Sequence, residues 1–467
     1  MSPRRFHKIA SLTSILSMAR RLLTLTQRRA SLLAAPWLVL VGSGACSPAH
    51  AQVHAPLQVG GALDAPPVGD VGSADLNGDG HADLLIATRG VEVALDPDDN
   101  SSPATWARRS FPSTVVFDDL ATADLDGDGR LDIVASSYTS NVIQWWLTGS
   151  DLTPQASSYI ALGAINPTNA TKCAATPTAN SHIVVSSVSL VDVEGDGQVE
   201  LGVSTFSNGV TSPTEVAVYT YSRESGCFHK VRSRSGPATM ATQFADVNAD
   251  GRQDLVVSFK ALQPVSESTA QWGEWFDLAL GEHQLVGQPL VVPFAKANAK
   301  DNIGVVDIDV LPAGAGGAGR PAWFALAITT HRSLSDEQHQ ARRGGHVEVV
   351  DIAGTRLWSS EDWEKSVEDE SADLFTMPTS SRFTAGGGLL ASFMRGAPST
   401  ASRCPYYGGP CAGPVLHVPS LQAPSPERLP GEHRGLGLVE LPAPSQPGRA
   451  RFIMLADFER GLGVVER

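Results

Sequence analysis

One nine-residue pattern constrains this chain most: Asp124-Leu125-Asp126-Gly127-Asp128-Gly129-Arg130-Leu131-Asp132. Carboxylates occupy its odd positions except the seventh. Alternate spacing lets a tight loop turn several oxygens toward one centre, the environment a hard cation such as Ca²⁺ seeks. Gly127 and Gly129 permit the backbone dihedrals of such a wrap. Without a cation the like charges would repel one another. The pattern recurs as Asp75-Leu-Asn77-Gly-Asp79-Gly-His81-Ala-Asp83 and as Asp246-Val-Asn248-Ala-Asp250-Gly-Arg252-Gln-Asp254. A looser copy is Asp192-Val-Glu194-Gly-Asp196-Gly-Gln198-Val-Glu200. Solvated Asp/Gly turns are the plainer explanation, but four copies with the same alternate acids favour a cation.

The loops start at 75, 124, 192 and 246, so the intervals are 49, 68 and 54 residues. Each interval holds four short strands with their turns. Apolar runs follow each loop, as in Asp83-Leu-Leu-Ile-Ala87, Asp132-Ile-Val-Ala135 and Asp254-Leu-Val-Val257. The strand pattern continues after the acids fade, at Ile303–Val310, Trp323–Thr329, Gly387–Phe393, Val415–Pro419, Gly435–Leu441 and Ala450–Ala456. Seven units are the best count, with six or eight also compatible. The last unit ends one strand short. A spare strand at Ala55–Leu63 is expected to complete it, which would remove two exposed sheet edges. Ser371–Gly388, rich in Ser, Thr and Gly, is read as a mobile stretch.

Residues 1–51 read as a signal peptide. They carry seven Lys or Arg and no acid, then the apolar run Leu32–Val41 and the small-x-small site Ala49-His50-Ala51. Cleavage after Ala51 is expected. Met18 is an alternative start, and lipid attachment at Cys46 a less favoured alternative because Ser43-Gly44-Ala45 fits poorly. Residues 52–467 then form a single domain, with no further apolar run near the roughly 20 residues that span a bilayer. Without the leader the chain keeps 28 Lys and Arg against 49 Asp and Glu, a net charge of −21. That argues against nucleic acid as a partner. Four of the five cysteines remain after cleavage, and an even count in an exported chain suggests disulfides. Cys404 and Cys411 bracket a compact loop, which leaves Cys173 with Cys227; free buried thiols are the alternative.

The four loops resemble the FG-GAP/VCBS repeats found in the heads of integrin α-subunits and in secreted bacterial proteins. The resemblance covers about 75–260 by motif and 300–467 by strand pattern. It implies an all-β fold, a seven-bladed β-propeller of four-stranded antiparallel blades, with Ca²⁺ between the first and second strands of some blades. Carried over, unit one would use Asp75, Asn77, Asp79, the carbonyl of His81 and Asp83. Unit two would use Asp124, Asp126, Asp128, the carbonyl of Arg130 and Asp132. Unit three would use Asp192, Glu194, Asp196, the carbonyl of Gln198 and Glu200, its longer Glu side chains requiring a wider ring or a water. Unit four would use Asp246, Asn248, Asp250, the carbonyl of Arg252 and Asp254, with Ala249 where Gly is usual. About four Ca²⁺ ions are expected. Units five to seven lack the ligands, since Asp307 and Asp309 alone are too few. An EF-hand is excluded because loop position 12 is Ile86, Ala135, Val203 or Val257 rather than Glu.

Nothing else looks catalytic. Gly-x-Ser-x-Gly and His-Glu-x-x-His motifs are missing. His331, His339 and His346 cluster in one insertion read as a solvated loop. Trp145-Trp146 and Trp272/Trp275 are read as blade packing rather than sugar-stacking platforms. The expectation is a secreted, periplasmic or cell-surface monomer. It would bind an extracellular protein or glycan, without catalysis and with calcium in a structural role. The alternative is an exported propeller enzyme, a polysaccharide lyase or hydrolase.

Overall fold

The computed structural model describes residues 52–53 and 68–466, except 97–104, 163–166, 168–169, 174–182, 208–213, 279–284, 294–300, 316–318, 333–341, 361–374, 397–414, 430–434, 443–449, 458–460 and positions 267, 385 and 423. The leader, Ala55–Leu63 and the Cys404/Cys411 loop therefore lie outside the described residues.

Every regular element that positions the loops is a strand. Strand β1 (Gln52–Val53) stands apart from its sequence neighbours. The first sheet holds β2 (Val71–Ala74), β3 (Asp83–Leu95) and β4 (Ala107–Val116). The second holds β5 (Asp119–Ala123), β6 (Asp132–Ser137), β7 (Val142–Thr148), β8 (Pro154–Ala161) and β9 (Thr171–Lys172). The third runs β10 (Ile183–Val191), β11 (Glu200–Ser207), β12 (Thr214–Ser222) and β13 (Cys227–Gly236). The fourth runs β14 (Thr239–Ala245), β15 (Asp254–Pro264), β16 (Thr269–Phe276) and β17 (Gly287–Pro293). The fifth runs β18 (Asp301–Leu311), β19 (Trp323–Arg332), β20 (Arg342–Asp351) and β21 (Arg356–Ser359). The sixth runs β22 (Phe375–Phe383), β23 (Leu389–Gly396), β24 (Val415–Val418) and β25 (Glu427–Arg428). The last holds β26 (Gly435–Pro442), β27 (Ala450–Asp457) and β28 (Gly461–Glu466), with β1 paired to β28 as its fourth strand. Neighbouring strands are antiparallel, except that β9 adds to β8 in parallel.

First strands lean on one another in sequence: β2 on β5, then β10, β14, β18, β22 and β26, which returns to β2. That ring of sheets is a β-propeller. Its four-stranded antiparallel blades agree with the sequence reading. Their number does not. Six sheets among the described residues have the four or more strands of a full blade, against the seven expected, and the first sheet has three. The reason is local. Strand β3 passes through Arg89-Gly90 without a break, Gly90 at φ +95°, so no loop divides it. The ring does close with an N-terminal strand on the last sheet, as expected, but at Gln52–Val53.

Consecutive residues of a strand face opposite sides. Here both sides are covered by neighbouring blades, so second and third strands read as unbroken apolar runs. Leu85 packs with Ile133 and Trp146 between the first two blades. Val134 and Trp145 point the other way, into Leu201 and Tyr219 of the third. The alternation continues with Leu255 and Val256, then Phe324 and Ala325, then Leu389 and Leu390. Leu84 and Ile86 meet Leu441 of the last sheet, which closes the ring of cores. Outer strands such as β4 alternate with exposed positions.

Trp145, Trp146 and Trp272 are each 1% exposed. They are packing residues, as expected, and Trp275 packs partly buried against the fourth core.

Candidate metal centre

All four acidic loops fall between the first and second strands of their sheets, at 75–82, 124–131, 192–199 and 246–253. They therefore share one end of their blades. A single hydrogen-bond scheme builds them.

The first aspartate closes each turn. Asp75 Oδ1 accepts the N–H groups of Gly78 (2.7 Å) and Asp79 (3.1 Å), and Oδ2 that of Gly80 (2.9 Å). Asp124 holds Gly127, Asp128 and Gly129 at 2.7, 3.1 and 2.8 Å. Asp192 holds Gly195, Asp196 and Gly197 at 2.7, 3.1 and 2.7 Å. Asp246 holds Ala249 and Gly251 at 2.7 and 3.0 Å. The fourth and sixth positions need positive φ for this wrap. Ala249 adopts φ +64° where the other loops use Gly, a strain of about 1–2 kcal/mol.

The third and fifth positions continue the scheme. Asn77, Asp126 and Asn248 accept from the N–H of Asp79, Asp128 and Asp250 at 2.8, 3.1 and 2.9 Å. Asp79, Asp128, Asp196 and Asp250 accept from the N–H of His81, Arg130, Gln198 and Arg252 at 2.8–2.9 Å. In loop two, oxygens of Asp124, Asp126 and Asp128 lie within 4.8 Å of one another. The Arg130 guanidinium pairs with Asp128 at its edge. In loop three, Glu194 Oε1 turns toward Arg232 Nη2, 3.8 Å away.

The ninth residue does something the spacing did not reveal. Asp83, Asp132, Glu200 and Asp254 are buried, 0–6% exposed. Each reaches back seven residues to accept an N–H: Leu76 (3.0 Å), Leu125 (2.9 Å), Val193 (3.0 Å) and Val247 (3.0 Å). The other oxygen of Asp83 accepts Asp96 N, just past the end of β3, at 2.9 Å, and that of Asp132 accepts Thr148 N on the third strand, β7, at 2.8 Å. Glu200 reaches Thr220 Oγ1 at 3.3 Å, so its extra methylene is absorbed without losing the clamp.

Burial pushes these carboxyls up, against the pull of the donated N–H groups: Asp83 and Asp132 to about 6, Glu200 and Asp254 to about 7. A raised folded value means the native state holds the proton more tightly than the unfolded chain. Their contribution to stability is then fully present below the unfolded pKa, about 4, and is lost as pH rises through the folded values of about 6 to 7. In chelating buffer, the melting temperature of Asp132→Asn is expected to vary less across that window than that of the parent. Parallel pH profiles in urea or heat melts would show that Asp132 is not held this way.

A second polar cluster, missed in the sequence, lines the axis. Arg382 on β22 donates to Asp307 Oδ2 on β18 at 2.6 Å. Asp309 accepts Phe383 N at 2.6 Å and Gln243 Nε2 at 3.1 Å. Asp119 accepts Val188 N at 2.8 Å. Asp70 sits against β26, where a Cβ on Gly437 would stand 2.3 Å from its Oδ1. Burial raises Asp70 well above the usual carboxylate range, Asp309 above it and Asp119 to about 6. Burial pulls Arg382 down, but Asp307, Asp309 and Asp70 outweigh it and the net direction is up. The sequence signal was only an acid or arginine on each of several first strands.

The histidines form no metal-binding group among the described residues, and the Cys404/Cys411 loop lies outside those residues. His339 lies outside the described residues, and His346 Nε2 is 3.1 Å from Glu348 Oε1. Cys173 and Cys227 are joined as a disulfide.

Residues 75–135 match the FG-GAP-like repeat family. Among curated proteins none matches the sequence. The chain is similar to a crystal structure of BBS1N in complex with ARL6DN, soaked with lead, at 11% identity and TM-score 0.46, over 86% of this chain and 92% of that one. The same complex soaked with mercury gives 10% identity and TM-score 0.44 over the same shares. Likeness at these scores carries no argument about function. The chain is thus an all-β propeller whose residues 75–135 match the FG-GAP-like repeat family.

Proposed function

We propose that this chain is an exported, calcium-stabilised binding module without catalytic activity. One observation carries the calcium reading: four loops repeat one hydrogen-bond scheme that wraps the backbone around oxygen donors, and in loop two three carboxylates converge. The donors fit a hard cation, being oxygens without sulfur or imidazole nitrogen. Asp124, Asp126 and Asp128 would hold it in loop two. Asp75, Asn77 and Asp79 would do so in loop one, Asp246, Asn248 and Asp250 in loop four, and Asp192, Glu194 and Asp196 in loop three. The carbonyls of His81, Arg130, Gln198 and Arg252 and the ninth residues Asp83, Asp132, Glu200 and Asp254 complete the sets. The ion would supply positive charge and stabilise only the folded state.

The Cys173–Cys227 bridge supports an oxidising compartment, and with it the signal-peptide reading of residues 1–51. No helix among the described residues is long and apolar enough to cross a membrane. An acidic surface and exposed loops suit an extracellular protein or glycan.

Metal analysis of purified protein, with melts in calcium and in chelator, tests this. Asp124→Ala should remove about one bound calcium and lower the calcium-dependent melting temperature. Unchanged stoichiometry would discard the ligand set. A polysaccharide-degrading enzyme is the second reading, favoured by the raised carboxyls beside Arg382 on the axis. Turnover in a polysaccharide screen, abolished by Asp119→Asn, would replace the binding reading.

A further inference from the structure

The turn between β12 and β13, Arg223–Gly226, belongs to blade three but is fastened to blade two. Cys227, at its end, is bonded to Cys173, which follows β9 and donates its N–H to Tyr159 O at 3.0 Å. Trp145 Nε1 on β7 donates to Gly226 O at 3.3 Å. Inside the turn, Gly226 N donates to Ser222 O at 2.8 Å.

From this fixed turn Arg223 reaches two acidic loops at once. Its Nη2 donates to Gly197 O in loop three. Its guanidinium lies so close over Gly127 in loop two that a Cβ there would stand 2.5 Å from Cζ and Nη2. The bridged loops are the two with four carboxylates, Asp124, Asp126, Asp128 and Asp132 in one and Asp192, Glu194, Asp196 and Glu200 in the other. Loops one and four have three acids and an asparagine each.

We infer that Arg223 is a positioning residue that couples cation binding at loops two and three. This rests on the calcium reading above. Ordering either loop fixes the face of the guanidinium it touches, and so lowers the entropy still to be lost in ordering the other. The coupling is reciprocal, as any linkage of binding free energies must be. The Cys173–Cys227 bridge and Trp145 hold the turn from which Arg223 acts. Loops one and four bind independently of it.

Calcium-dependent hydrogen exchange, read by mass spectrometry on the full chain, resolves each loop. In Asp124→Ala the calcium concentration that half-protects residues 192–200 should rise about fivefold or more, while residues 246–254 keep the parental value. In an Arg223→Ala background, Asp124→Ala should have no further effect on 192–200. The Cys173→Ser/Cys227→Ser double variant should weaken the coupling in the same direction. If all loops gain protection with calcium but 192–200 ignores Asp124→Ala, the coupling is wrong and the calcium reading stands. If no loop of the parent gains protection, the calcium reading fails and takes the coupling with it.

Discussion

Trp146→Ala should lower the unfolding free energy by about 3–5 kcal/mol. Trp146 is 1% exposed at the seam between the first two blades. Its ring stands edge-on to Phe117 at 5.5 Å between centroids and to Phe111 at 6.4 Å. Truncation would forfeit those contacts, each worth about 0.5–1.5 kcal/mol beyond area, and leave a void. The surrounding strands are hydrogen-bonded on both sides and cannot collapse into it. Denaturant melts of variant and parent give the number. A loss under about 1 kcal/mol would mean that the ring is not in the core and is free to stack on a ligand.

Arg382→Ala comes next. The guanidinium is the cation that neutralises Asp307 and Asp309, and Asp70 lies within its field. Removing one partner of a buried pair costs roughly 3–5 kcal/mol. Arg382 keeps 33% of its side-chain surface accessible and Asp307 17%, so solvent screens part of that. About 2–3 kcal/mol is the expected loss at neutral pH. The sign with pH is distinctive. The orphaned carboxylates gain protons as pH falls, so the deficit should shrink toward about pH 4. Urea melts at two pH values suffice. An equal deficit at both would assign Arg382 a packing role instead.

What could be read from the chain before folding follows from what each segment must satisfy. The loops were legible because turn chemistry and ligand chemistry both act within nine residues. Second strands such as Asp132–Ser137 were legible because burial on both faces leaves an unbroken apolar run. First strands face the axis and carry hydroxyls and charges. Hence Phe375–Phe383, with Thr376, Thr379, Ser380 and Ser381, resembled a mobile stretch yet forms the first strand of blade six. The double clamp of Asp83 and Asp132 was invisible because the letter of an aspartate does not tell which distant N–H groups its oxygens accept. The axial ring of Asp70, Asp119, Asp307, Asp309 and Arg382 was invisible for another reason. Its members come from four blades, and only closure brings them together.

Gln52 pairs with Glu466, so almost the whole chain separates the two strands that lock the ring. Until β1 docks on it, β28 presents an open edge that another molecule's strand can occupy. Contacts this remote in sequence also form slowly. Assembly of this protein is therefore limited at its final step, and a truncated or stalled copy is the species most prone to join its neighbours edge to edge.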